Sequence, residues 1–149
     1  MLNAKASELA GVVGVIDPDA YAAGTYTSGW VDAGAFQQFI AIVQAGTLGT
    51  GATLDAKIEQ ATDALGTGAK DVAGKAITQL TQAGGDSDKQ AVIALNPGEL
   101  DLANDYTHFR VSITIGSAAS DAGAVVLGLN PRTGVAADND AATVAEIVA

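Results

Sequence analysis

Apolar residues recur at every second position through much of residues 52–129, and this alternation limits what the chain can fold into. It is clearest in residues 53–61 and 107–115, where the intervening positions are polar or charged. A period of two places one set of side chains on a buried face and the other in solvent, which is typical of half-exposed β-strands. The residues predicted to face the core are Leu54, Ile58, Phe109, Val111, Ile113, Val125 and Leu127.

Short strands of this kind follow one another along the chain, with turn-forming residues between them. The pattern predicts strands at 12–16, 25–31, 36–45, 53–61, 71–81 with a break at Gly74, 90–95, 107–115 and 124–129. No helical segments separate these strands, so the sequence predicts an all-β protein built as an antiparallel β-sandwich.

The two ends of the chain differ from the middle. Residues 1–20 hold one short apolar run and predict an extended N-terminal arm, residues 21–132 predict the sandwich domain, and residues 133–149 predict a C-terminal tail. We expect the run that includes Val12, Val13 and Val15 to contact a neighbouring protein. Arg132 is a further interface candidate, because Asn130-Pro131-Arg132 ends the sandwich where the tail begins.

Composition narrows the possible functions. The 149 residues suffice for one domain, and the chain has no cysteine. A net charge of −10 repels phosphate, so we expect no nucleic-acid partner. The apolar run at 10–16 is too short for a membrane span and lacks the flanks of a signal peptide, which predicts neither a membrane partner nor a targeting segment.

No residue set encodes a reaction, so we expect no enzyme, catalytic residue, metal site or cofactor. His108 is the only histidine, which rules out sites that need two, and we interpret it as a solvated or cross-strand residue. The Asp pairs 17/19, 86/88 and 138/140 lack the remainder of a calcium loop and read as turns. Trp30, the only tryptophan, is expected to be a core or interface anchor, with a sugar platform as the alternative.

Several segments in a fixed order resemble a group of small tailed-bacteriophage virion proteins. They are Asp-Ala-Lys-Ile-Glu-Gln at 55–60, Thr-Asp at 62–63 with a Gly-rich turn, a strand with Ile77 and Leu80, Tyr-Thr-His-Phe-Arg-Val-Ser-Ile-Thr-Ile-Gly at 106–116, and Val-Val-Leu-Gly at 125–128. The resemblance covers about residues 36–132. The proteins in this group look like capsid decoration proteins, also called cement proteins.

That resemblance implies a jelly-roll-like sandwich on the capsid exterior, assembled in the host cytoplasm. It implies a major capsid protein as partner and a homo-oligomer, most simply a trimer, that stabilises the shell by binding between capsid subunits. A head–tail connector or tail component is the alternative within virions. A carbohydrate-binding β-sandwich module is the alternative from a different class.

Overall fold

Ten β-strands carry the regular structure of residues 3–149. A computed structural model describes residues 3–149. The strands are β1 (Ala10–Tyr21), β2 (Gly24–Thr27), β3 (Val31–Asp32), β4 (Phe36–Ala45), β5 (Thr53–Ala61), β6 (Lys70–Ala76), β7 (Leu80–Thr81), β8 (Gln90–Leu95), β9 (His108–Gly116) and β10 (Ser120–Pro131). A helix α1 (Ala6–Leu9) precedes β1, and 3-10 turns lie at Pro97–Glu99, Leu102–Asn104 and Ala136–Asn139. The predicted bounds of β4, β5 and β8 are confirmed.

The strands form two antiparallel sheets. The front sheet has the order β1-β10-β4-β8, and the back sheet has the order β2-β9-β5-β6, with β3 beside β9 and β7 beside β5. Pairing is nested along the chain: β1 pairs with β10, β2 and β3 with β9, β4 with β8, and β5 with β6 and β7. A long hairpin folded over on itself in this way is a jelly roll. The predicted all-β antiparallel sandwich with jelly-roll character is confirmed.

The core lies between the two sheets and is organised around three phenylalanines. Phe36 and Phe39 of β4 meet edge to face with ring centroids 5.8 Å apart, and Phe39 meets Phe109 of β9 at 4.7 Å. Phe36 has room because Gly128 lies above its ring, where a Cβ would be 2.4 Å from Cδ2. The glycine on β10 therefore allows an aromatic side chain to fill this part of the core.

The predicted inward residues of β5 and β9 are correct. Leu54, Ile58, Phe109, Val111 and Ile113 are all fully buried.

The prediction for β10 is wrong by one residue. Val126 is the buried position, and Val125 and Leu127 point outward from the front sheet and are half-buried. Residues 124–127 are apolar at every position, so the alternation that fixed the facing of β5 and β9 could not fix it here.

Residues 10–20 belong to the sandwich rather than to an extended arm. They form most of β1, which pairs with β10 from Ala10 opposite Leu129 to Tyr21 opposite Ser120. Two register shifts, between Val12 and Gly14 and between Ile16 and Asp19, break its alternation. The first two residues of the predicted arm lie outside the described residues.

The C-terminal tail is docked against the same strand before it becomes irregular. Ala136 is fully buried, Asp140 accepts the Val12 N–H at 2.7 Å, and Ala141 donates to the Val12 carbonyl at 2.6 Å. These contacts occupy part of the outer edge of β1, which would otherwise be an unpaired strand edge. Residues 136–141 of the predicted C-terminal tail therefore pack on the sandwich.

Candidate interaction surfaces

The outer surface of the front sheet is a continuous apolar face. Its outward positions are the residues that alternate with the core residues of β1, β10, β4 and β8. The large apolar side chains among them, called the apolar face below, are Val12, Val15, Ile40, Ile42, Val92, Val125, Leu127 and Leu129. Most are half-buried by one another, and Val92 on the edge strand β8 is 57% exposed.

Strand register places these side chains in rows that cross all four strands. Directly paired residues form two rows, Val15–Val125–Ile42–Val92 and Val12–Leu127–Ile40–Ala94. Paired residues on one sheet face are near enough to pack together, so each row is a continuous apolar strip. Two adjacent strips make one patch rather than scattered surface residues.

No charged side chain occupies the two rows. Glutamines border them, with Gln38 on one side and Gln44 paired with Gln90 on the other. Beyond the Gln44–Gln90 row, a groove at this end of the sheet is lined by Asp19, Asp88 and Asp121. The apolar face thus has an acidic groove at its Gln44–Gln90 end, whereas beside Ala94 at the other end Glu99 is paired with Lys75.

The outer surface of the back sheet has the opposite character. Arg110 Nε donates to Glu59 Oε2 at 2.7 Å, and Lys57 Nζ donates to Asp71 Oδ1 at 2.6 Å. The hydrogen bond to Asp71 is the main reason that the pKa of Lys57 is raised. Charges on this surface satisfy one another, as expected of a sheet face in contact with water.

Trp30 lies at one end of the back sheet and is half-buried. The Arg110 guanidinium lies over its ring, 4.4 Å from the centroid, which is a cation–π contact. Gly66 packs on the indole so closely that a Cβ there would be 2.7 Å from Nε1. Trp30 therefore anchors the loop between β5 and β6.

That loop presents the most exposed large apolar side chain of the described residues, Leu65, which is 91% exposed. The Asp63 carboxylate accepts the backbone N–H groups of Leu65 and Thr67 at 2.9 and 3.1 Å, and the Thr67 hydroxyl at 2.6 Å. The side-chain bond from Thr67 is the leading reason that the pKa of Asp63 is lowered. The loop is therefore held by its own hydrogen bonds together with the packing of Gly66 on Trp30.

The structure distributes the predicted interface residues over three places. Val12 and Val15 lie on the apolar face, whereas Val13 sits at the first bulge and lines a small cavity with Trp30. Arg132 lies apart, beside a cavity that also includes Leu102, and its Nε donates to the Phe36 carbonyl at 3.1 Å. Their role as interface residues stays a prediction.

The remaining polar candidates have local structural roles. Asp86 accepts the Thr81 N–H and pairs with Lys89, and Asp140 holds the tail on β1. His108 Nδ1 lies 3.0 Å from the Thr107 hydroxyl. Within residues 3–149 no three His, Cys, Asp or Glu side chains converge as metal ligands. In the same part of the chain no helix has the length and apolar character to cross a bilayer.

Sequence reasoning missed the outward residues of β10 and β4. The signal was present in the continuous apolar runs at 39–43 and 124–127, which leave no polar side to face solvent. Both runs are indeed apolar on both faces, but in the monomer only one face is covered. The outward apolar residues of these two strands therefore form part of the apolar face.

Comparisons with known proteins give weak likenesses only. No protein-family model matches the sequence, and no curated protein is similar to it. One similar solved chain comes from an empty virus-like particle of cowpea mosaic virus, at 10% identity and a TM-score of 0.47, covering 90% of this chain and 86% of that one. Another comes from the Gx strain of infectious bursal disease virus, at 18% identity and a TM-score of 0.45. The similar region covers 88% of this chain and 34% of the viral chain. The jelly-roll assignment rests on the strand pairing of this chain itself.

Proposed function

We propose that this protein is a structural virion protein that decorates and stabilises a capsid, binding in many copies between major capsid subunits on the outside of the shell. The observation that carries the proposal is the apolar face. It is uncharged and four strands wide on a chain of net charge −10.

A face of this kind is costly to leave in water, because its two rows form one patch rather than isolated residues. Monomeric proteins rarely keep such patches unless another protein covers them. The acidic remainder of the surface is suited to solubility before assembly. Jelly rolls recur in viral shells, although the same fold also serves lectins and cupins, so the proposal rests on the surface and on the sequence resemblance together.

The carbohydrate-binding alternative has less support. A sugar platform needs an exposed aromatic face, and the ring of Trp30 is half-buried under Arg110 and against Gly66. The connector or tail alternative predicts the same surfaces and differs in copy number and position.

The test is binding to capsids assembled without this protein. Purified protein should add to them at symmetry-related sites in many copies and raise the temperature at which they lose DNA. Capsids that already carry the protein are the matched control and should take up none. The decoration role would be refuted if saturating protein neither bound nor stabilised these capsids and the native particle carried it only at the tail vertex. That result would support the connector or tail role instead.

A further inference from the structure

We infer that the apolar face is covered by a second copy of this chain, stacked face to face with its strands running in the opposite direction. The inference rests on the proposed function in taking the apolar face as an assembly surface. It names the occupant of that face and the orientation of the two copies. With that face covered by the second copy, the capsid contact falls to the remaining surfaces of the dimer.

Charge favours a second copy on this face. Two chains of net charge −10 repel each other over most of their surfaces. At the apolar face they meet without apposing carboxylates, because neither of its rows contains a charged side chain. A strongly basic partner would instead be expected to match an acidic surface, which this face does not offer.

The residues bordering the face also fit a self-complementary contact. An amide side chain both donates and accepts hydrogen bonds, so glutamines can pair with glutamines. In a two-fold contact every pairing of border residues occurs twice, so side chains that both donate and accept avoid any like-charge pair at the border. Gln38, Gln44 and Gln90 occupy these border positions.

The acidic groove fixes the orientation. Asp19, Asp88 and Asp121 lie together at one end of the face. If the strands of the two copies ran in the same direction, the two acidic ends would be superposed. Opposite strand directions place each acidic groove near the Gln38 end of the other copy, where Glu99 is already paired with Lys75, and this lowers the repulsion between carboxylates.

The dimensions predict a reversible dimer. Four strands about 4.8 Å apart make a face about 19 Å wide, and seven residues from Gln38 to Gln44 span about 24 Å. The product is roughly 450 Å² on each copy, or roughly 900 Å² in total, just under the ~1,000 Å² typical of the smallest specific interfaces. We therefore expect dissociation in the micromolar range rather than an obligate dimer. The trimer expected from the sequence stays a prediction, and the flat face by itself supplies a two-fold contact.

Sedimentation velocity between about 1 and 200 µM measures this equilibrium directly. The expected result is a monomer–dimer transition in that range. Val92→Asp places a charge on the exposed edge of the face and should raise the dissociation constant at least about tenfold. Thr27→Asp adds the same charge to the outer surface of the back sheet and should change it less than about twofold. A monomer at every concentration, or equal effects of the two variants, would overturn the inference.

Cross-linking tests the orientation, and the absence of native cysteine makes single-cysteine variants clean. In the proposed stacking the two copies of Ile42 lie about 7 Å apart along the strand direction, and the two copies of Gln44 about 20 Å apart. A cross-linker of about 8 Å should join Ile42→Cys dimers and not Gln44→Cys dimers. Cross-linking of both variants with equal yield would contradict opposite strand directions. Circular dichroism of each variant checks that it is folded.

The outcomes separate this inference from the proposed function. A monomeric protein that still decorates capsids would refute the second copy as occupant and leave the virion role standing. A dimer with the expected cross-links that does not bind capsids would refute the virion role and leave the second copy standing as the occupant of the apolar face.

Discussion

Substitution of Gly128 by alanine tests whether the core is packed as described. The added Cβ would lie 2.4, 2.6 and 2.7 Å from the Cδ2, Cγ and Cε2 atoms of Phe36. Phe36 is fully buried and held edge to face against Phe39, so its ring cannot move aside without disturbing a second aromatic contact. Overpacking of this kind costs about 1–3 kcal/mol. For a chain of this length the melting temperature should fall by about 3–10 °C.

Gly29→Ala is the matched control, because a Cβ there meets no atom within 4 Å. It should leave the melting temperature unchanged or raise it slightly, since alanine restricts the unfolded chain more than glycine does. Phe36→Leu in the Gly128→Ala background should recover part of the loss by making room for the methyl group. Calorimetry on the four proteins gives the comparison. Equal melting temperatures for Gly128→Ala and Gly29→Ala would refute the packing described for Phe36.

Three further outcomes follow from other parts of the structure. Ile113→Ala should lower the free energy of unfolding by about 2–5 kcal/mol, because its side chain is fully buried, and unchanged denaturant unfolding would contradict that burial. The pKa of Asp63 is lowered mainly by the hydrogen bond from the Thr67 side chain, and the pKa of Asp86 mainly by the hydrogen bond from the Thr81 backbone. The two carboxylates therefore stabilise the folded state fully above about pH 4, the ordinary pKa of aspartate. This stabilisation is lost as the pH falls through the lowered pKa values of the folded state. Melting curves of Asp63→Asn should accordingly be less sensitive to acid than those of the parent. Arg110→Ala should shift the emission of Trp30 to longer wavelength, and an unchanged spectrum would exclude the cation–π contact.

The parts of the fold that the sequence predicted correctly are those in which alternation was unambiguous. In β5 the charged residues Asp55, Lys57 and Glu59 mark the solvent side, so the facing of Leu54 and Ile58 follows at once. The strand bounds of β4 and β8 followed from flanking glycine, proline and polar turns.

The errors have physical causes that local patterns do not contain. In β1 the second register shift falls at residues 17–19, which have the composition of a turn, so only residues 12–16 were predicted as a strand. Docking of Ala136 under the end of the sandwich depends on contacts between distant parts of the chain. The outward facing of Val125 and Leu127 could not be predicted, because both sides of β10 are apolar. That last error has the same origin as the candidate site, since both follow from a strand that is apolar on its two faces.

The central claim, that the apolar face is covered in the assembled state, can be measured by thiol labelling of two single-cysteine variants. Val92→Cys lies on the face and Thr27→Cys on the outer surface of the back sheet, both on edge strands and both exposed. Maleimide labelling rates should be similar for the two variants in dilute monomer. In assembled particles the Val92→Cys rate should fall at least about tenfold while the Thr27→Cys rate stays within about threefold of its monomer value. Equal labelling of Val92→Cys in monomer and particle would contradict the account.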